Sequence, residues 1–209
     1  MKNLFALSIL AASVAMTACS KKPEETTPAT GAATTASASG ATIIKIGHAA
    51  PLTGPQAHLG KDNENGVRLA VDELNAKGLT IGGQKVQFEL HSEDDQADPR
   101  IATTVAQKFV DDKVNVMIGH LNSGTTIPAS RIYNDAGIVE VSPSATNPKY
   151  TQQGYKGAFR VMANDVQQGK VLGEFAVNDM AAKNIAIIDD RSAYGQGLAD
   201  EFEKAAKAA

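Results

Sequence analysis

Residues 114–131 read VNVMIGHLNSGTTIPASR, and this stretch indicates the fold class. It opens with a short apolar run without helical periodicity, which is typical of a buried strand in a parallel sheet. The run ends at Gly119, small polar residues follow at 122–126, and a predicted helix continues from there. A strand that turns through hydroxyl residues into a helix directs free backbone N–H groups and the positive end of the helix dipole at one place. Such a place suits a small anion, for example a carboxylate.

Residues 138–148, IVEVSPSATNP, repeat this arrangement. An apolar strand leads into a loop that carries Ser142, Ser144 and Thr146 and is held by two prolines. If the two strands are neighbours, both hydroxyl loops lie at one edge of the sheet, where open α/β sheets bind their ligands. The sequence therefore predicts one binding site made from both loops.

Strand and helix patterns alternate along the rest of the chain. Asp98 precedes a proline and is expected to cap a helix, Asn164 is expected to cap another, and Gly78 is placed to end a third. This alternation predicts an α/β fold in which a parallel sheet carries helices on both faces. The predicted strands are 43–47, 86–90, 158–161 and 185–188, and the predicted helices are 60–77, 99 onward, 165–181 and 195–209.

The composition excludes several classes of protein. A net charge of −3 over 209 residues shows no basic excess for nucleic acid, and the single Cys19 excludes an internal disulfide framework. The acidic run at 93–98 lacks the spacing of a calcium loop, so it is expected to cap and solvate a turn. The histidines are scattered without metal-ligand spacing, and His120 is expected to be structural.

No nucleophile-elbow, P-loop, dinucleotide or zinc-protease motif occurs, so we expect a binding protein without cofactor or metal rather than an enzyme.

The N-terminus carries an export signal. Residues 1–18 have a charged start, an apolar stretch and small residues before a cleavage site, as in a signal peptide. The tetrad Met16-Thr17-Ala18-Cys19 resembles the bacterial lipobox, which implies that Cys19 is lipidated; the alternative is ordinary secretion with an incidental cysteine. Residues 19–41 continue as an Ala/Thr/Ser-rich segment that we expect to be a flexible tether.

The folded part is expected to contain two unequal portions. Residues 42–161 form a nearly whole first lobe, and residues 162–209 form the crossover and the start of a second lobe. One predicted strand in the second portion has no sheet partner, so this lobe is only begun. The helical pattern also runs to Ala209 without a stop signal, which predicts an N-terminal fragment of a larger protein.

Five segments between residue 43 and the C-terminus carry a family resemblance. They are PLTGPQAHLGKDNENGVRLAVDELNAKG, EDDQADPR, VMIGHLNSGTTIPASRIYNDAGI, VSPSATNP and YGQGLADEF. In order and spacing they resemble the leucine/isoleucine/valine-binding proteins, the periplasmic substrate-binding components of ABC transporters. GHLNSGTTIPAS and SPSATNP together are highly specific, whereas YGQG alone is a weak match. The resemblance implies a type I periplasmic binding protein, in which two α/β lobes close on the ligand like a hinged clamp.

The resemblance also implies roles for individual residues. Ser123 binds the ligand carboxylate through its hydroxyl and N–H groups, Thr146 does likewise while meeting the ammonium, and the Ser144 carbonyl accepts from the ammonium. An amino-acid zwitterion needs such donors at one end and acceptors at the other. The alternative is that Ser123 and Thr126 only cap a helix, and that Tyr194 is a plain turn residue. The implied ligand-binding set is Leu121 and Asn122 as pocket walls, Ser123, Ser144, Ala145, Thr146, and Tyr194 closing from the second lobe.

Three features depart from the family pattern. Leu59 stands where some members have a Tyr that lines the pocket, which leaves the side-chain preference open. Ala97 and Asn122 stand where some members have a disulfide pair, so that pair is missing. The acid that pairs with the ligand ammonium in the family lies beyond Ala209, so this chain lacks that counter-charge.

Together these observations predict an exported substrate-binding component of an ABC transporter. We expect it to be a monomer in the periplasm or at the cell surface, in contact with the membrane only through a lipid anchor. Its partners would be a branched-chain amino acid and a permease in the inner membrane. The alternatives are a sensor or regulator on the same fold, a binding protein for an amide or urea-like ligand, and a non-functional fragment.

Overall fold

The computed structural model describes residues 40–209. The predicted signal peptide, Cys19 and nearly all of the predicted tether lie outside the described residues. Within residues 40–209, no helix combines the length and the apolar character needed to cross a membrane.

Strands and helices alternate along the chain, as the sequence predicts. The strands are β1 (Thr42–Ala50), β2 (Thr80–Ile81), β3 (Gln84–Asp94), β4 (Val116–Gly119), β5 (Val139–Ser142) and β6 (Ala158–Arg160). The helices are α1 (Ala57–Lys77), α2 (Pro99–Asp111), α3 (Ser123–Asp135), α4 (Lys149–Gln152), α5 (Asp165–Glu174), which continues as a π-helical turn (Phe175–Asp179), and α6 (Ala193–Ala208).

The strands form one sheet in the order β2-β3-β1-β4-β5-β6. All neighbours from β3 to β6 pair in parallel, which confirms the predicted α/β class. The edge strand β2 pairs antiparallel with β3, so the sheet is mostly rather than wholly parallel. The reversal occurs at Gly82 and Gly83, whose φ angles of 59° and 82° favour glycine.

Helices cover both faces of the sheet because successive strand residues point to opposite sides. On one face, Ala49 of β1 lies in a core with Phe109 of α2 and Met117 of β4, and all three are fully buried. Burying a large apolar side chain of this kind stabilises the fold by about 1.5–3 kcal/mol. On the other face, the buried His48 lies near enough to Glu64 of α1 to interact with its charge.

The predicted helix boundaries are confirmed where a local signal set them. The Asp98 carboxylate accepts from the N–H groups of Arg100 and Ile101 at 2.7 and 3.2 Å, so it caps α2. The Asn164 side chain accepts from the N–H group of Gln167 at 3.2 Å and caps α5. Gly78 ends α1 in the left-handed conformation, with a φ of 63°.

The predicted buried strand at 185–188 is wrong. These residues form no strand, and Ile188 is 95% exposed. An apolar run forms a strand only where a neighbouring strand offers hydrogen-bond partners, and within residues 40–209 none pairs with this run. The flanking helices instead pack against each other closely, since a Cβ atom on Gly173 of α5 would lie 2.8 Å from the Ala205 Cβ atom of α6.

Candidate functional site

The two hydroxyl loops lie side by side at one edge of the sheet, as predicted. β4 and β5 pair in parallel, with Ile118 opposite Val141, so the loops that follow them start from neighbouring positions. A backbone N–H group joins the loops directly, since Asn147 donates to the Ser123 Oγ atom at 3.1 Å. Because that oxygen accepts from Asn147, the Ser123 hydroxyl hydrogen is available for another acceptor.

The first loop ends at the N-terminus of α3. The Asn122 carbonyl accepts from the N–H groups of Thr125 and Thr126 at 3.1 and 2.9 Å, and also from both threonine hydroxyls. Within residues 40–209, the N–H groups of Ser123 and Gly124 donate no hydrogen bond. Free N–H groups in the first turn lie at the positive end of the helix dipole, which favours an anion. Thr126 therefore has a local structural role, whereas Ser123 presents donors at the helix end.

Ser142 organises the second loop. Its buried hydroxyl donates to the His120 carbonyl at 2.7 Å, and its oxygen accepts from the N–H group of Ala145 at 2.9 Å. The bond to His120 ties this loop to the end of β4. The sequence analysis placed Ser142 in the loop but did not assign it this role, because the bond crosses 22 residues of chain.

A cleft of about 690 Å³ opens beside the two loops. Five of the predicted ligand-binding residues line it, namely Leu121, Asn122, Ser123, Ser144 and Tyr194. The remaining lining residues are Gln56, Leu59, Ala97, Pro99, Gly124 and the segment Asp190–Ala193. Two smaller grooves, of about 320 and 510 Å³, follow α5 and α6 and contain no residue of the hydroxyl loops. The larger cleft is therefore the candidate ligand site.

Ala145 and Thr146, also predicted to bind ligand, are not among the residues that line the cleft. Ala145 is 1% exposed, and its carbonyl accepts from the Arg160 guanidinium at 2.9 Å. The Thr146 carbonyl accepts from the N–H group of Asp165 at 2.9 Å. The Thr146 hydroxyl is buried and has no hydrogen-bond partner within residues 40–209.

Ser144 combines an anchored side chain with a free carbonyl. Its hydroxyl accepts from the Asn63 side chain of α1 at 3.1 Å. Among the described residues, no donor meets the Ser144 carbonyl, which is the acceptor predicted for a ligand ammonium. Asn63 was not predicted as a site residue, because 81 residues separate it from Ser144.

Part of the cleft wall is apolar. Leu59, Ala97 and Pro99 line it, and Leu59 is 46% exposed. At the position where some family members carry a disulfide partner, the Asn122 side-chain amide donates to the Oε1 atom of the Gln56 side chain at 2.7 Å. This wall can accommodate an aliphatic side chain, with one amide pair beside it.

The acidic run organises the adjacent turn, as predicted. Asp94 accepts from the N–H group of Leu52 at 2.8 Å and from the Thr53 hydroxyl. Partial burial raises the pKa of Asp94, but the hydrogen bonds together lower it by more than burial raises it. The pKa therefore lies below its ordinary value. Within residues 40–209, no group of three His, Cys, Asp or Glu side chains could hold a metal ion.

His120 is part of a buried network beneath the site. Its Nδ1 atom lies 2.7 Å from the Asp95 carboxylate, and its Nε2 atom lies 3.1 Å from the Tyr133 hydroxyl. All three residues are fully buried, and burial raises the pKa of Tyr133 well above its ordinary value. Because a carboxylate only accepts, Nδ1 must carry a proton and donate to Asp95. His120 thus has the structural role that the sequence predicted.

The site provides donors at one end and an acceptor at the other. Ser123 and Gly124 offer N–H groups, and Ser144 offers a carbonyl, at the edge of a partly apolar cleft. The hydrogen bonds of the Ser123 hydroxyl involve no His, Asp or Glu side chain of residues 40–209 that could act as a general base. The arrangement is suited to holding a small zwitterion.

Known proteins are similar to this chain in sequence and fold. Leu/Ile/Val-binding protein homolog 1 of Brucella abortus is 44% identical over 161 residues, which cover 77% of this chain and 43% of the relative. The leucine-, isoleucine-, valine-, threonine-, and alanine-binding protein of Pseudomonas aeruginosa is 39% identical, and the match covers 78% of this chain and 43% of the relative. The chain therefore spans less than half the length of these curated relatives.

A solved structure has the same fold. The substrate-binding protein LivJ of the branched-chain amino acid transporter from Streptococcus pneumoniae, in complex with isoleucine, matches with a TM-score of 0.72. It is 32% identical, and the match covers 79% of this chain and 47% of that protein. The profile of the family described as periplasmic binding protein matches residues 43–209. The chain therefore belongs to the periplasmic binding protein family and has the type I fold.

Proposed function

We propose that this protein is the extracytoplasmic substrate-binding component of an ABC transporter and captures a branched-chain amino acid. The observation that carries the proposal is that, within residues 40–209, the N–H groups of Ser123 and Gly124 and the carbonyl of Ser144 have no hydrogen-bond partner. The ligand carboxylate accepts from the N–H groups of Ser123 and Gly124, and the ligand ammonium donates to the Ser144 carbonyl. The names of the relatives from Brucella and Pseudomonas support an aliphatic amino acid as the ligand.

The proposed mechanism is capture followed by delivery. Residues 42–161 are the first lobe, which binds the amino acid through Ser123, Ser144 and Thr146. Residues 162–209 are the crossover and the start of the second lobe, and Tyr194 from this portion already lines the cleft. The ligand binds the closed state more tightly than the open state, so it shifts the protein towards closure. The closed form then docks on a membrane permease, and lipidation at Cys19 keeps the protein near it.

A thermal-shift panel tests the ligand class. The intact protein is heated with each common amino acid, with simple amides and with urea, because a ligand that binds only the folded state raises the Tm. A rise with leucine, isoleucine or valine is the expected result. A rise only with an amide or urea would replace the proposed substrate. A cooperative transition that no compound shifts would contradict the proposal and favour a sensor with a different effector.

A Ser123→Ala variant tests the carboxylate subsite. The change removes one donor from the carboxylate, so leucine binding measured by calorimetry should weaken by about 1–3 kcal/mol. Ser130→Ala is the matched control, because Ser130 lies on the same helix but does not line the cleft. Equal affinities of the two variants would remove Ser123 from the site.

A further inference from the structure

The first turn of α6 is joined directly to the second hydroxyl loop. The Asn147 side-chain amide donates to the Ala193 carbonyl at 2.7 Å, across 46 residues of chain. Ala193 is the first residue of α6 and belongs to segment 190–194, which lines the ligand cleft and includes Tyr194. Asn147 itself is not among the lining residues. The contact therefore joins the loop to the cleft wall through a residue outside the cleft lining.

Asn147 is held in place within its own loop. Its side-chain oxygen accepts from the N–H group of Lys149 at 3.0 Å, so its amide nitrogen is the side-chain atom that meets Ala193. Its backbone N–H group donates to the Ser123 Oγ atom at 3.1 Å. One residue thus contacts both the predicted carboxylate-binding serine and the first turn of α6.

Helix α6 also packs tightly against the Asn147 amide. A Cβ atom on Gly197 would lie 2.5 Å from the Asn147 Nδ2 atom, which is closer than atoms without a bond between them approach. The glycine therefore lets the helix approach the amide. The same turn is capped locally, because the Ser192 hydroxyl accepts from the N–H group of Gly195 at 2.9 Å. The start of α6 is thus fixed both in conformation and in position against the loop.

We propose that Asn147 is a positioning residue that holds segment 190–194, and with it Tyr194, in place beside the ligand loops. The Tyr194 side chain is 42% exposed, so its own packing fixes it only in part. Its position depends on the first turn of α6, which the Asn147 amide and Gly197 hold against the loop. A wall that is in place before the ligand arrives loses less conformational freedom on binding, which increases the affinity. This inference rests on the proposed function and adds a residue that acts through Tyr194 rather than on the ligand.

A double-mutant cycle tests whether Asn147 acts through Tyr194. Calorimetry measures leucine affinity for Asn147→Asp in the native background and in the Tyr194→Ala background. The introduced carboxylate can still accept from the N–H group of Lys149 but has no hydrogen to donate to Ala193. In the native background the affinity should fall by about two- to tenfold, the range expected for the loss of one hydrogen bond. In the Tyr194→Ala background, Asn147→Asp should cause no further loss.

The matched control is Asn65→Asp, because Asn65 is exposed on α1 and is not among the residues that line the cleft. This variant should bind leucine as the native protein does. Equal losses from Asn147→Asp in the two backgrounds would show that Asn147 only supports the fold, and would overturn the inference. An unchanged affinity of Asn147→Asp in the native background would overturn it as well.

Gly197→Ala provides an independent variant in case Asn147→Asp does not fold. Its Cβ atom would displace the Asn147 amide or α6, so leucine affinity should fall in the native background and not in the Tyr194→Ala background. A loss of the same size in both backgrounds would contradict the inference. If the native protein does not bind leucine, the proposed function fails. If it binds leucine and Tyr194→Ala binds equally well, the proposed function stands and this inference alone is overturned.

Discussion

Glu140 on β5 provides a prediction about stability and pH. The residue is 1% exposed, and neither carboxylate oxygen has a hydrogen-bond partner within residues 40–209. Burial raises the pKa of Glu140 well above its ordinary value of 4.5, and the Tyr150 hydroxyl and the His120 backbone offset this effect only in part. Tyr150 itself donates to the backbone carbonyls of Glu140 and Phe159 rather than to the carboxylate. The folded protein therefore keeps the Glu140 proton to a higher pH than the unfolded chain does.

The sign of the pH dependence follows from this raised pKa. Above the ordinary value of 4.5, the unfolded chain loses the Glu140 proton while the folded protein keeps it. The stability that the neutral group contributes is complete below that pH and is lost as the pH rises through the folded pKa. One proton corresponds to about 1.4 kcal/mol per pH unit. Glu140→Gln removes this titration. As the pH rises, the free energy of unfolding of the variant should therefore increase relative to that of the native protein, with that slope.

Urea denaturation from pH 4 to pH 8, followed by circular dichroism, measures the effect. The free energy of unfolding of the native protein is subtracted from that of Glu140→Gln at each pH, which cancels the other titrating groups. The difference should be constant near pH 4 and rise above about pH 5. Glu73→Gln, at an exposed position of α1, is the control substitution of the same type. A difference for Glu140→Gln that is flat or falls with pH would refute the reasoning.

Two further predictions concern the helices. Asp98→Ala removes the side-chain cap of α2 and should lower the free energy of unfolding by about 1 kcal/mol, measured by urea denaturation. An unchanged value would show that water replaces the cap without cost. Gly60→Ala should destabilise the protein by about 1–3 kcal/mol, because its Cβ atom would overlap the Pro51 carbonyl. Gly66→Ala on the same helix meets no atom within 4 Å and should stabilise by up to about 1 kcal/mol; equal effects would contradict the packing argument.

Short-range signals made much of the fold predictable. The caps at Asp98 and Asn164 depend on N–H groups two or three residues away, so the sequence shows both partners at once. Gly78 was predictable for a similar reason, because the left-handed conformation at a helix end favours glycine. The parallel pairing of β4 with β5 followed from two strand-to-helix units in succession.

The long-range contacts of the site were not predictable. Gln56 meets Asn122 across 66 residues, and Asn63 meets Ser144 across 81 residues. Asn63 lies on α1 and Gln56 is the N-cap residue of that helix, whose sequence pattern does not indicate the side on which polar residues meet the loops. The burial of Asp165 was missed for the same reason, because its acidic side chain looks like an ordinary first-turn residue.

The error at 185–188 shows the limit of reasoning from apolar runs. A strand is stabilised by its neighbours, so an apolar run that pairs with no other strand stays irregular and exposes its side chains. Ile188 is 95% exposed for this reason. The sequence analysis recognised that this segment had no sheet partner, yet it still predicted a buried strand. The missing partner should have decided against that prediction.

The distribution of used and unused polar groups is the strongest argument for a ligand. Ser142 uses its hydroxyl fully, since it donates to the His120 carbonyl and accepts from the N–H groups of its own loop. Within residues 40–209, Ser123 and Gly124 retain free N–H groups and Ser144 a free carbonyl. Polar groups without partners are rare in folded proteins, and these three lie on two adjoining loops. Their common position beside one cleft indicates that a bound molecule with both a donor and an acceptor completes them.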